Sequence, residues 1–306
     1  MPPANPDRGC AGALLNTGDV FAVNGQGAAA VVDGRLVSVN GAPLTVSPSS
    51  QFGMHPNLCY GGVGWSPNGR FLALLVGAFA PYDFNGIDTG VWVYDTATGQ
   101  SWQVLRNVYE GQGGGALGEQ RRALRVRWSP TSAALLVAVE TGYGLGTAVV
   151  SVNADANIPP VILPYADATW TLDGAALIVS GPVSGGASVV GRVEMGSWAY
   201  TEYQNQQTNG LTMRGTAQLP DGRLAFLASV AGQESYALYV APAALGAAGT
   251  ALSGPTYGAF VAADWDAGRS AVLVTTTGGS WVAYTNGAVQ TSGMANGALS
   301  GAFWRN

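Results

Sequence analysis

The residues best placed to do chemistry in this sequence fall between positions 77 and 145. Asp83-Phe84-Asn85-Gly86-Ile87-Asp88 sets three oxygen-bearing side chains around a glycine. Carboxylate and amide oxygens grouped in this way can wrap a hard cation, and calcium takes about six to eight such ligands. The segment lacks the bidentate glutamate of an EF-hand loop, and Asp, Asn and Gly also favour a plain turn. Calcium on Asp83, Asn85 and Asp88 is the one cofactor that the sequence offers. The carboxylates Asp83, Asp88, Glu110 and Glu119 could serve a glycoside hydrolase or lyase as acid and base. Aromatic and basic side chains interleave with them: Tyr82, Phe84, Tyr109 and Tyr143, then Arg121 and Arg122 with Arg125 and Arg127 beyond. Rings beside carboxylates, amides and guanidinium groups suit a sugar ring or a partner protein.

Other chemistries are excluded by residue inventory. There is no lysine, so all 13 basic residues are arginine and lysine-based catalysis is ruled out. His55 is the only histidine, and with two cysteines it cannot build the usual zinc sites. No Gly-x-Ser-x-Gly elbow accompanies it. Gly113-Gly114-Gly115-Ala116-Leu117-Gly118 matches a dinucleotide fingerprint in letters only, because no long helix follows. A net charge of -5 and a sequence pI of about 4.7 disfavour nucleic acid. No apolar run reaches the roughly 20 residues of a membrane span.

The elements that must hold these residues announce themselves as a repeat. Trp65-Ser66-Pro67-Asn68-Gly69-Arg70 precedes the apolar run Phe71–Val76. The pattern returns at Trp128-Ser129-Pro130, at Trp170-Thr171-Leu172-Asp173-Gly174, at Gln218-Leu219-Pro220-Asp221-Gly222-Arg223, at Asp264-Trp265-Asp266-Ala267-Gly268-Arg269 and at Phe303-Trp304. Successive steps are 63, 42, 48, 46 and 40 residues. A period of about 40–50 residues with several short strands per unit is a β-propeller signature. Two insertions, 77–90 and 107–124, account for the long first step. The second unit reads as strands over 61–66, 71–77, 90–96 and 101–106. Asn286-Gly287 and Asp33-Gly34 mark tight hairpins. The strongest helix signal, 118–124, amounts to a turn or two.

The N-terminal segment supplies three strands, near 19–24, 28–32 and 35–39. Residues 298–304 look like an innermost strand without partners. Pairing them with 19–24 closes a ring and removes exposed edges. The expectation is an all-β, six-bladed propeller of four-stranded blades over 19–306, with 1–18 as an extension; a misaligned degenerate copy would make it five or seven. Cys10 and Cys59 each precede the innermost strand of neighbouring blades. A bridge between them closes a loop of about 50 residues, worth up to ~4 kcal/mol on a chain-entropy argument. It implies an oxidising, extracytoplasmic compartment. Met1–Asp7 lacks an apolar signal core and reads as the start of a mature chain.

The repeat resembles that of the TolB-like, WD40-like propellers, whose consensus reads W-S-P-D-G-R-x-L-A-F. Residues 65–74 match it with Asn68 for Asp. Residues 128–138 lose the glycine, having Thr131-Ser132, and 218–227 lose the tryptophan. The resemblance spans most of the chain and implies a fold rather than an activity. In such propellers, hairpins between second and third strands share a face with the blade-to-blade connections. That puts 77–90, 107–124 and Tyr143 on one face, over the first three blades. The expected function is a secreted or cell-surface module, without catalysis, that recognises a protein or glycan through Tyr82, Phe84, Tyr109, Glu110, Arg121, Arg122 and Tyr143. Alternatives are a structural subunit that packs with its own copies and the carboxylate-dependent hydrolase or lyase.

Overall fold

A computed structural model describes residues 20–24, 27–32, 35–39, 42–43, 58–78, 89–108, 120–153, 158–182, 186–230, 233, 235–251, 260–266, 271–276, 280–285 and 288–294, with side chains between 64 and 251. The chain divides into two compact units, Met1–Leu163 with Arg305–Asn306, and Pro164–Trp304.

In the first unit, β1 (Val20–Asn24), β2 (Gly27–Val32), β3 (Arg35–Val39) and β4 (Ala42–Pro43) form the first sheet. The second comprises β5 (Leu58–Trp65), β6 (Phe71–Ala78), β7 (Gly90–Asp95) and β8 (Ser101–Arg106). The third comprises β9 (Arg121–Trp128), β10 (Ala134–Thr141), β11 (Gly144–Ser151) and β12 (Val161–Leu163). In the second unit, the fourth sheet holds β13 (Asp167–Trp170), β14 (Ala176–Pro182), β15 (Ser188–Glu194) and β16 (Tyr200–Asn205). The fifth holds β17 (Leu211–Gln218), β18 (Leu224–Val230), β19 (Ala237–Ala241) and β20 (Thr250–Ala251). The sixth holds β21 (Phe260–Asp266), β22 (Ala271–Thr276), β23 (Ser280–Thr285) and β24 (Ala288–Met294). Each sheet is antiparallel, with its strands in sequence order.

The apolar runs after each repeat motif are the second strands. Leu72–Val76, Leu135–Val137, Ala176–Val179 and Leu224–Ala228 are buried without alternation. A strand covered on both faces must be apolar at every position, which is why these runs lack a period of two. In the first unit, Ala73, Leu75, Val91, Val93 and Leu105 pack against Ala123, Val137, Val139, Ala148 and Val150, joining the second and third sheets in one core. In the second unit, Ile178 and Val190 pack against Met213, Phe226 and Ala228.

The repeat motif itself is turn chemistry. Ser66 Oγ accepts from Phe71 N (2.9 Å) and donates to Asn68 Oδ1 (2.7 Å), which accepts from Arg70 N (3.0 Å). Thr171 and Asp173 repeat the arrangement: Thr171 Oγ1 accepts from Ala176 N (3.0 Å) and donates to Asp173 Oδ1 (2.6 Å). The residue after the amide or carboxylate takes positive φ: 71° at Gly69, 69° at Gly174 and 84° at Gly222. Glycine adopts this conformation without a Cβ penalty. Ser132 takes the same place at φ 62°, and its Oγ accepts from Asn68 N (3.1 Å), so the degenerate copy links two neighbouring turns. A second backbone bond recurs beside three of these turns: Thr96 N to Arg70 O, Val152 N to Ala133 O and Met195 N to Ala175 O.

The motif tryptophan joins sheets. Trp128 Nε1 donates to Gly64 O (2.8 Å), and its ring stacks on Phe71 with centroids 6.2 Å apart. Trp102 meets Phe71 edge-on and donates to Val152 O (3.1 Å).

Several expectations hold at the level of the strands. The second sheet follows the expected four segments closely. The pairs Val32↔Arg35 and Thr285↔Ala288 flank the anticipated hairpins. Two expectations need correction. Residues 121–124 of the expected helical turn are strand: Arg121 starts β9, because pairing with β10 outweighs the weak local propensity. Among the described residues the one helix is α1 (Gln206–Asn209), capped by Asn205. The N-terminal segment also supplies four strands rather than three. Ala42–Pro43 is the fourth, and β1 lies beside β5 as β5 lies beside β9. The innermost place is therefore taken by β1. The pairing expected of 298–304 lies outside the described residues.

Arg70 and Asp95 lock the two turns of the second sheet together. Arg70 donates from Nε to Asp95 Oδ1 (3.0 Å) and from NH2 to Oδ2 (2.6 Å), and Ala97 N donates to Oδ1 (2.9 Å). The Asp95 side chain is 5% exposed. The Arg70 hydrogen bond holds its carboxyl at a pKa of about 2, against the opposing effect of burial. A lowered native pKa stabilises the fold fully above the unfolded value of roughly 4, and that contribution disappears as pH falls through about 2. Asp95→Asn should lower stability by about 1–3 kcal/mol at neutral pH and flatten the acid limb between those values, read from denaturant melts across pH.

Candidate binding site

Both long insertions leave the same end of the second sheet, and a small polar network fixes where they leave. Thr89 precedes β7 and is fully buried. Its carbonyl accepts from Asn107 N (2.8 Å) and from Gln103 Nε2 (3.0 Å). Asn107, 1% exposed, follows β8 and accepts at Oδ1 from Ala123 N of β9 (2.8 Å). One buried amide thus ties three strands across two sheets. A buried amide left without partners is costly, so the network holds a single geometry.

The next residues close the neck of the second insertion. Val108 and Arg121 exchange both backbone bonds, at 2.8 and 2.9 Å, and Arg121 Nε donates to Arg106 O (2.9 Å). The segment 109–120 begins and ends at this bridge. The first insertion is gripped at the pair Val76↔Gly90. Gly90 has φ 135°, and a Cβ there would lie 2.0 Å from Leu105 O. The backbone of β8 therefore fits against β7 only because position 90 is glycine.

Three sequence-selected residues come together here. Arg121 and Arg122 open β9, opposite Thr141 and Glu140 of β10, and Tyr143 forms the hairpin between β10 and β11. Arg122 pairs with Glu140 at 2.6 Å. Arg121, Arg122, Arg125 and Arg127 all lie on β9. Tyr82, Asp83, Phe84, Asn85, Asp88, Tyr109, Glu110 and Glu119 lie outside the described residues, so the calcium and carboxylate expectations concern residues beyond this description. The Cys10–Cys59 pairing does too: Cys59 is a β5 residue opposite Gly77, but Cys10 is not described. Among the described residues, no three His, Cys, Asp or Glu side chains group as metal ligands. No helix among them is long and apolar enough to cross a membrane.

Sequence reasoning missed Thr89, Gly90, Gln103 and Asn107. No motif marks them, since each acts through a main-chain partner supplied by the fold. The clue that was available is Gly90 at the edge of a β-rich run, where glycine signals close approach of another backbone.

No protein-family model and no curated protein matches the sequence. Solved structures do. A prolyl endopeptidase superposes with a TM-score of 0.58 at 12% identity, over 92% of this chain and 44% of that one. A chain from a nidogen/laminin complex gives 0.51 at 9% identity, over 90% of this chain and 93% of its own. TolB from Acinetobacter baumannii gives 0.49 at 14% identity, over 92% and 64%. The chain spans under half the length of the prolyl endopeptidase it matches. Successive four-stranded antiparallel sheets and the superpositions on the prolyl endopeptidase and the chain of the nidogen/laminin complex define the β-propeller fold. The resemblance of the repeats to TolB-like, WD40-like propellers is borne out at that level.

Gly90→Ala should destabilise the protein by more than about 2 kcal/mol, because the obstructing atom is backbone. Asn107→Ala should cost about 1–3 kcal/mol by leaving Ala123 N buried and unpaired. Denaturant unfolding of both variants checks this; a wild-type midpoint for either would refute the neck.

Proposed function

We propose that the chain is a non-catalytic, extracytoplasmic recognition module that binds a protein or glycan through 77–90 and 107–124. The observation that carries the reading is the rigid neck. The two longest insertions are anchored side by side by Thr89, Asn107 and the Val108–Arg121 bridge, next to an exposed tyrosine. Loops of this length on a rigid scaffold are usually functional. Aromatic and arginine side chains dominate binding energy at interfaces. A chain of this fold occurs in a nidogen/laminin complex, which supports the same use of the scaffold.

Replacing Tyr82, Phe84 and Tyr109 together with Ala should abolish binding on a glycan panel, or cross-linking to a native partner, while the circular dichroism spectrum stays unchanged. Unfolding of that variant would make the aromatics loop core, and intact binding would locate recognition elsewhere. The extracytoplasmic assignment includes a Cys10–Cys59 bridge. Protein from its native source should resist alkylation until reduced, and two thiols that alkylate without reductant would remove that support.

A further inference from the structure

We propose that Trp198, held on a strained turn at one end of the fourth sheet, is the aromatic platform of a second binding site, for a neutral saccharide. The site goes beyond the recognition reading above, because it uses no residue of 77–90 or 107–124.

The first observation is a backbone conformation that suits glycine and carries a tryptophan. The turn between β15 and β16 repeats the turn between β7 and β8 bond for bond. Glu194 N donates to Ala199 O as Asp95 N does to Gln100 O, Met195 N to Ala175 O as Thr96 N does to Arg70 O, and Trp198 N to Glu194 O as Gly99 N does to Asp95 O. The last position takes φ 73° at Gly99 and 57° at Trp198. Glycine enters this region freely, whereas a bulky residue there is an outlier that stores strain. The other described non-glycine residue with positive φ is Ser132, whose hydroxyl accepts from Asn68 N. Trp198 has no such return: among the described residues its ring meets no other aromatic ring and its indole N–H meets no acceptor. The residue is only partly buried. What accounts for a tryptophan at a glycine position is the surface it presents.

The second observation is the chemistry around that ring. Gly196, Ser197 and Ala199 are small and exposed, so the flanking chain does not wall in the indole. Leu172, 46% exposed, stands in the adjoining turn, which Met195 N joins at Ala175 O. The charged side chains described at this end are already engaged. Arg192 donates to Glu194 at Oε1 (2.5 Å) and Oε2 (3.3 Å), and Asp173 Oδ1 accepts from Thr171 Oγ1 (2.6 Å) and Ala175 N (3.0 Å). A flat, open ring beside engaged charges gives no grip to a protruding side chain and no excess charge to an ion. A sugar ring matches it, with a C–H face to cover the indole and hydroxyl groups for the indole N–H and the spare carboxylate lone pairs.

Isothermal titration with cellohexaose, maltohexaose and chitohexaose probes the site, with octaproline and a single-stranded oligonucleotide for comparison. At least one saccharide should bind, with little dependence on salt. Asparagine tolerates positive φ, so Trp198→Asn removes the ring and the strain together. It should weaken the saccharide at least about tenfold, while the denaturant midpoint stays at or above the wild-type value. Trp198→Phe, which keeps a ring, should bind within about threefold of wild type. The proposal is overturned if no saccharide binds, if octaproline or the oligonucleotide binds more tightly, or if Trp198→Asn binds like wild type. A Trp198→Asn midpoint below wild type also overturns it, by making the indole part of the fold. If the Tyr82, Phe84 and Tyr109 variant loses saccharide binding and Trp198→Asn does not, this inference falls and the recognition reading stands.

Discussion

Burial of both faces of the second strands in the second to fifth sheets is the constraint on which the other features depend. Leu72–Val76 and Leu224–Ala228 leave no face for water. Each of these sheets must therefore be covered twice, and polar groups brought inside by that stacking need partners from a neighbouring strand or sheet. The cross-links supply several of these partners. Trp128 Nε1 reaches Gly64 O, Asn107 Oδ1 receives Ala123 N, and Ser188 Oγ both receives Met213 N and donates to Met213 O. Apolar packing supplies cohesion between sheets, while these bonds fix register, because each has one geometry that satisfies both ends.

Turns carry the remaining specification. The Ser/Thr-x-Asn/Asp-Gly arrangement satisfies backbone donors at the point where the chain reverses, and it does so with side chains two residues apart. A turn that closes on itself needs nothing from other sheets. It can recur with different neighbours, and that is what makes the repeat visible in sequence. Ser132 shows the tolerance of the arrangement: positive φ at a non-glycine costs roughly 1–2 kcal/mol, and the Asn68 N–H bond to its hydroxyl offsets part of that.

This explains what could be read from the chain alone. Second strands and their turns were legible because an unbroken apolar run and a local hydrogen-bond pattern are sequence properties. The strand Arg121–Trp128 was not, because Arg121-Arg122-Ala123 has no β preference of its own and becomes a strand through Val139 and Val108. Ala42–Pro43 escaped notice for a related reason: two residues carry no periodicity, and only pairing with Ser38 and Val39 makes them a strand. At the candidate site, Arg121, Arg122 and Tyr143 were recognisable by type. Thr89 and Asn107 were not, since their role is to receive or offer main-chain bonds.

The neck also explains how the scaffold carries insertions at these two places. The entropic cost of a closed loop grows only as about (3/2)RT ln n, so doubling its length adds roughly 0.6 kcal/mol. What a sheet cannot absorb is uncertainty in where the strands on either side begin. Val108 and Arg121 settle that point with two backbone bonds before the insertion starts, and Thr89 does so through Asn107 and Gln103. Inside the neck, Asn107 is bound to packing and is intolerant of change. The Arg122–Glu140 pair and the exposed Tyr143 and Leu145 of the next hairpin stand beside this neck.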